Sequence, residues 1–277
     1  MVAEIGGHRF EWGTRTYVMG IVNTTPDSFS GDGVGDDVER AVALGMRMAG
    51  DGADMLDVGG QSTRPGHVPI TPAEEIERTE RVVRRLARES SLPVSIDTYK
   101  QQVAESAVAA GATIVNDVWA LTRSPAMADL AAAHGCALVL MHNQEGTDYA
   151  GDLMDEIKSF LRAAAKRAVD AGVPKAKVIL DPGIGFGKTA EHNWEVMRRF
   201  AELRELGHPL LIGTSRKSFI GKLLDLPVGD RLEGTAATVT TAVLRGADIV
   251  RVHDVREMTR VARVAERMRR PGPDLNR

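Results

Sequence analysis

Two observations predict a parallel α/β barrel of the (β/α)8 class. Eight short apolar runs recur along the chain, most of them separated by helical patterns of ten or more residues. The runs are almost continuously hydrophobic, as strands buried on both faces must be. Eight such units fill a single barrel of about 250 residues. An open doubly wound sheet of Rossmann type is the alternative architecture.

Ahead of the first run, Phe10 to Tyr17 reads as a small hairpin turning at Gly13, placed to close the bottom of the barrel. The strands then follow in order at Tyr17–Val22, Met55–Val58, Val94–Ile96, Ile114–Val118, Ala137–Met141, Val178–Leu180, Leu210–Ile212 and Ile249–Val252. Helix starts are marked by Thr71-Pro72-Ala73-Glu74, a capping box with proline in the first turn, and by Ser124-Pro125. Gly50, Gly111, Gly135 and Gly172 stand where helix C-caps are expected. No linker or low-complexity tract divides the chain, so residues 1–277 are expected to form one domain, with the Pro- and Gly-rich tail 271–277 frayed.

Composition narrows the function. A formal net charge of −3 excludes the strongly basic footprint that nucleic acid or an anionic membrane requires. Cys136 is the only cysteine, which excludes an internal disulfide and a Cys-rich zinc site. No basic leader followed by an apolar segment opens the chain and no long apolar run occurs, so a cytoplasmic protein is expected. There is no HExxH, no HxH pair and no nucleophile elbow, which argues against protein-ligated zinc hydrolysis and acyl-serine chemistry.

Active sites of such barrels form at the C-terminal ends of the strands. There the sequence places Asn23, then Asp57 and Gly59, then Asp97, Asn116 and Asp117, His142, Asp181, Gly213 to Lys217, and Arg251 with His253. One Asp or Asn in such a loop is commonly a helix cap, but three beside cationic groups define a site. Carboxylates and amides offer the donor and acceptor pairs that suit a flat heterocycle with an aminopyrimidinone edge. Arg251 and His253 share strand parity and make an anion site, joined by Arg64, Lys217 and the N–H groups from Gly213 to Ser218. The bland reading of the pair is an arginine bonded to an acidic neighbour and a satisfied core histidine. The inference is a phosphorylated substrate.

The stretch Asp181-Pro182-Gly183-Ile184-Gly185-Phe186-Gly187-Lys188-Thr189 is not a Walker loop, because Pro182 stands where glycine is needed. Its glycines instead let backbone approach a flat ligand. Two long glycine-punctuated loops, 23–36 and 59–71, read as lids that carry Phe29, Thr63, Arg64 and Pro65.

Several of these strings together resemble the dihydropteroate synthase family of the folate pathway. They are Met19 to Ser30, Asp57 to Gly66, Ser95 to Thr98, Asn116 to Val118, Asp181 to Thr189, Gly213 to Gly221 and Arg251 to Val255, collinear over roughly residues 17 to 270. The resemblance implies a barrel that joins 6-hydroxymethyl-7,8-dihydropterin diphosphate to p-aminobenzoate, giving 7,8-dihydropteroate and pyrophosphate. It implies a pterin pocket of Asp97, Asn116, Met141, Asp181, Phe186, Gly213 and Lys217, and a diphosphate subsite of Asn23, Arg64, Arg251 and His253. Mg2+ would be shared between Asn23 and the diphosphate. Phe29, Thr63, Arg64, Pro65, Lys217 and Ser218 would receive p-aminobenzoate, and with it the sulfonamides that mimic it. Asp97, Lys217, Arg251 and His253 would carry the chemistry, without a covalent enzyme nucleophile. A homodimer is also implied. Two departures from the family pattern are Ser30-Gly31-Asp32-Gly33, which shifts an acid by one place, and Gln61 in place of Glu. Competing readings are a methyltetrahydrofolate-type methyltransferase barrel, which needs no diphosphate pair, and a non-catalytic pterin-binding paralogue.

Overall fold

The computed structural model describes residues 1–24, 34–61 and 68–269, and its side-chain detail resumes at Val38. Eight parallel strands form the barrel: β3 (Tyr17–Asn23), β4 (Met55–Gly59), β5 (Val94–Asp97), β6 (Ile114–Asp117), β7 (Ala137–Met141), β8 (Val178–Asp181), β9 (Leu211–Ile212) and β10 (Ile249–Val252). Each expected strand is present within a residue or two of its predicted bounds. The strands pair in the order β8-β7-β6-β5-β4-β3-β10-β9, and a bridge from Leu180 to Leu210 joins the two ends. The helices are α1 (Val34–Gly50), α2 (Pro72–Glu89), α3 (Gln101–Ala109), α4 (Met127–Ala133), α5 (Leu153–Asp170), α6 (Ala190–Arg199), α7 (Ser218–Leu224), α8 (Leu232–Leu244) and α9 (Val255–Arg269). None of them is long and apolar enough to cross a membrane.

Strand parity divides the core in two. Residues such as Val18, Leu56, Ile96, Val115, Leu138, Leu180 and Val250 face outward and pack with the helices. Tyr17, Met19, Met55, Ile114, Val139, Ile179, Leu211 and Ile249 face inward and form an apolar plug at the lower end. Side chains alternate along a strand. Continuing the inner rows therefore brings Asn23, Asp57, Asp97, Asn116, Met141, Asp181, Gly213 and Arg251 to the upper mouth.

The N-terminal hairpin does cap the bottom, but it lies one strand earlier than expected. β1 (Val2–Ile5) pairs antiparallel with β2 (His8–Glu11), in register from Val2 opposite Glu11 to Ile5 opposite His8. The turn is Gly6-Gly7, with φ of +55° and +77°, the left-handed pair that a tight hairpin requires. Gly13 makes the next turn and donates to Asp248 Oδ1 at 2.7 Å. That bend stacks Phe10, Trp12 and Tyr17 with ring centroids 4.8 to 5.4 Å apart beneath the plug.

Two local expectations are also corrected. Thr71 caps α2 by accepting from Glu74 N at 3.2 Å, but Ser124 does not cap α4: its hydroxyl donates to the Tyr99 carbonyl at 2.7 Å, and the helix begins at Met127. Gly111, Gly135 and Gly172 adopt positive φ after their helices, whereas Gly50 is the last residue of α1 and Gly52, at φ +99°, makes the reversal.

Candidate active site

The mouth is organised around one arginine and two acids. Arg251 Nε donates to Asp57 Oδ2 at 2.6 Å and its Nη2 to Asp97 Oδ2 at 2.7 Å, while Asn116 Nδ2 also donates to Asp57 Oδ2 at 3.0 Å. Arg251 is therefore not a bare anion receptor: the pairing with acidic neighbours that a buried strand-end arginine ordinarily makes is present twice. Asp57, a strand-end residue to which the sequence attaches no role, shares parity with Met55 and so points inward to meet Arg251 and Asn116. Oδ1 of both Asp57 and Asp97 is buried and accepts no hydrogen bond among the described residues. A buried acceptor left unpaired costs about 1–3 kcal/mol, so two of them side by side point to a ligand carrying donors.

One guanidinium cannot neutralise two carboxylates. Burial pushes the Asp97 carboxyl up to about 7, against the pull of Arg251 and with the help of neighbouring Asp57. The 2.7 Å ion pair alone would lower it, but Arg251 is shared and burial dominates. Asp57 and Asp97 outweigh the burial of Arg251 and hold it ionised. Asn23 closes this side, for a Cβ built at Gly59 would lie 3.8 Å from Asn23 Oδ1 and 3.6 Å from Asp97 Cβ.

On the opposite wall, burial raises Asp181 to about 6 against the Gly183 N–H, which donates to its Oδ1 at 2.7 Å, and against Lys217, Arg251 and Lys188. The glycines after it are required by geometry. Gly183 has φ +73°, and a Cβ there would stand 1.9 Å from the His142 carbonyl oxygen. Gly183→Ala is expected to destabilise the protein by about 1–3 kcal/mol through strain at this site. Urea unfolding would show it, and an unchanged midpoint would exclude it.

Phe186 lies across this loop with Lys217 Nζ 4.1 Å from its ring centroid. Lys217 also packs along Gly185, where a Cβ would approach its Cδ to 3.1 Å. Met141, 4% exposed, and Gly213 complete the frame. Lys188, not singled out from the sequence, is buried and donates to His142 Nδ1 at 2.9 Å and to the Phe186 carbonyl at 3.1 Å. It fastens the glycine loop to the end of β7. Burial lowers Lys188 to about 7, with Asp181 opposing and Lys217 adding, and burial with Lys188 holds His142 down to about 3. His142 therefore serves this loop rather than the acids.

Ser215, on the loop after β9, meets His253: the hydroxyl oxygen lies 2.9 Å from Nδ1 and accepts the His253 backbone N–H at 3.2 Å. Arg216, in the left-handed region at φ +58°, pairs with Asp254 and joins the loops after β9 and β10. Ser218 is exposed at the first turn of α7. Phe29, Thr63, Arg64 and Pro65, and the shifted acid of Gly31-Asp32, lie outside the described residues. Gln61 is described: its Oε1 accepts from Lys100 Nζ at 2.6 Å and from Ile70 N at 3.1 Å. Lys100 also binds Glu75 at 2.6 Å. A glutamate at 61 would give that lysine two carboxylates, whereas glutamine leaves one balanced pair.

Fold and site together define a (β/α)8 barrel whose upper mouth gathers buried acids beside Arg251 and Lys217. A family model described as pterin binding enzyme matches residues 19–253. The chain is 47% identical over 264 residues to the dihydropteroate synthase of Clostridium beijerinckii, covering 95% of this chain and 98% of that one. Solved structures agree. The Clostridium difficile dihydropteroate synthase crystallised in the presence of pteroic acid superposes with a TM-score of 0.92 at 47% identity, covering 95% of this chain and 100% of that one. The Yersinia pestis enzyme in a sulfonamide drug complex gives 0.90 at 38% identity, covering 97% and 99%. The chain belongs to the dihydropteroate synthase family of pterin-binding enzymes, a family of transferases.

Proposed function

We propose that the chain condenses 6-hydroxymethyl-7,8-dihydropterin diphosphate with p-aminobenzoate to give 7,8-dihydropteroate and pyrophosphate. The observation that carries the reading is the pair of unsatisfied carboxylate oxygens, Oδ1 of Asp57 and Asp97, buried at the barrel mouth beside Arg251. The pterin's ring N–H and amino groups are the donors those acids lack. Asp97, Asn116, Asp181 and Lys217 hold the pterin edge, and Met141, Phe186 and Gly213 frame its ring. Arg251 Nη1, which neither acid engages, together with His253, Asn23 and Arg64, receives the diphosphate. Phe29, Thr63, Arg64, Pro65, Lys217 and Ser218 receive p-aminobenzoate. The Clostridium difficile enzyme crystallised in the presence of pteroic acid and the Yersinia pestis sulfonamide complex support the two substrate classes of this reading.

The carbon–oxygen bond to the diphosphate breaks first, its electron pair leaving with pyrophosphate; the arylamine lone pair then adds to the cationic pterin methylene, and the nitrogen loses one proton to the released pyrophosphate. Asp97 supplies negative potential to that cation, while Arg251 and His253 stabilise the departing oxygens. The donor set fits Mg2+ bound chiefly through substrate. Asn23 offers a neutral oxygen near the mouth, and no three His, Cys, Asp or Glu side chains group as a metal cage among the described residues. When bound, Mg2+ would neutralise leaving-group charge. We place the enzyme in the cytoplasm.

Formation of 7,8-dihydropteroate together with pyrophosphate from the two substrates tests the reading, and a folded protein forming neither would overturn it. Sulfonamides are expected to inhibit competitively with p-aminobenzoate, and a flat dose response at limiting p-aminobenzoate would contradict that subsite. A homodimer is proposed through α8 and α9, where Leu232, Leu244, Val264 and Met268 are exposed. Sedimentation should then give twice the 29.9 kDa chain mass, and Val264→Asp should give the monomer.

A further inference from the structure

Ser215 Oγ has one hydrogen and two lone pairs to distribute. One lone pair takes the His253 backbone N–H, at 3.2 Å. The 2.9 Å contact with Nδ1 can then be made in two ways. If Nδ1 carried the proton and donated, the serine hydrogen would need another acceptor. Among the described residues the hydroxyl makes no third bond, and Ser215 is only 5% exposed. That arrangement strands a buried donor, which is costly. If Ser215 donates to Nδ1 instead, the hydroxyl and Nδ1 are both satisfied and the imidazole proton sits on Nε2.

The ring is neutral, so its tautomer decides what it offers. Burial and the positive charges of Arg216, Arg251 and Lys217 hold His253 down to about 3, with Asp254 opposing. A neutral imidazole with the proton on Nδ1 would present a lone pair at Nε2 and repel an anion. With the proton on Nε2 it presents a donor.

We infer that Ser215 is a positioning residue that fixes His253 as the Nε2–H tautomer, so that His253 donates to the diphosphate of the substrate. This rests on the diphosphate subsite proposed above. Ser215 acts through His253 and needs no contact with substrate of its own. The device also spares the site a fourth cation beside Arg216, Lys217 and Arg251, each already close to an acid or an aromatic face.

The test is nitrogen NMR of 15N-imidazole-labelled protein, with His253 assigned by comparison with His253→Gln, joined to inhibition by inorganic pyrophosphate. A pyrrole-like Nε2 and a pyridine-like Nδ1 are expected in the wild-type protein. Ser215→Ala should weaken pyrophosphate inhibition and raise the KM for pterin diphosphate about tenfold, with the KM for p-aminobenzoate within about twofold. Ser215→Thr, which keeps the hydroxyl, should restore both. A proton on Nδ1 in the wild type, or unchanged pyrophosphate inhibition in a folded Ser215→Ala variant, would overturn the inference. If the wild-type protein binds no pyrophosphate, the diphosphate reading fails and the donor role with it. The spectrum still decides separately which nitrogen carries the proton.

Discussion

Asp97→Asn is expected to lower dihydropteroate formation about a thousandfold, equivalent to ~4 kcal/mol of lost transition-state stabilisation. The substitution keeps the shape and removes the charge next to the developing pterin cation. It also removes a proton-binding group that burial has raised to about 7. Protonation below that pH abolishes the same charge, so wild-type kcat/KM should fall as pH drops through about 7 and the variant should lack that acid limb. A variant within tenfold of wild type, or one that keeps the limb, would remove Asp97 from the mechanism. Stability should move the other way. The folded carboxyl binds its proton more tightly than the unfolded chain's, at an ordinary 3.8, so ionisation costs stability at pH above both values and the cost disappears as pH falls below 3.8. Asp97→Asn should therefore melt higher than wild type at pH 8.

Arg251→Met is expected to be the most destabilising change at the site, by about 3–5 kcal/mol, because it leaves Asp57 and Asp97 buried without their cation. Urea unfolding at pH 8 would show the loss. At pH 5 the loss should shrink, since an uncompensated buried carboxylate takes up a proton as pH falls. Asp57→Asn in the same chain should recover much of it, and the double-mutant cycle gives the coupling directly. An unchanged unfolding midpoint in the single variant would mean that the two ion pairs contribute nothing net.

The strands were legible because burial on both faces writes itself as uninterrupted Val, Ile, Leu and Met, and helix ends because glycine is the residue that reverses the chain cheaply. The hairpin was misplaced by one strand because the aromatic run Phe10 to Tyr17 draws attention to a cluster that the bend at Gly13 creates. The weaker alternation of β1, with Ala3 and Ile5 inward, was the real strand signal. At the site, the polar residues at strand ends were found by position. Asp57 stands among those strand-end residues, but its bond to Arg251 joins positions 194 apart and has no sequence signal. Lys188 and Ser215 carry no local signature. Each acquires its role from a residue 46 or 38 positions away, His142 and His253. Ser124 followed the rule for a cap, but Tyr99 offered its hydroxyl a better acceptor across the loop.

The most direct measurement uses pterin diphosphate labelled with 18O at the bridging oxygen, incubated with the protein, Mg2+ and p-aminobenzoate and read by mass spectrometry. The predicted result is 7,8-dihydropteroate with all of the label in pyrophosphate, as substitution at the pterin methylene requires. Label retained in free hydroxymethyl dihydropterin, with no dihydropteroate formed, would make the protein a hydrolase acting at phosphorus and contradict the condensation.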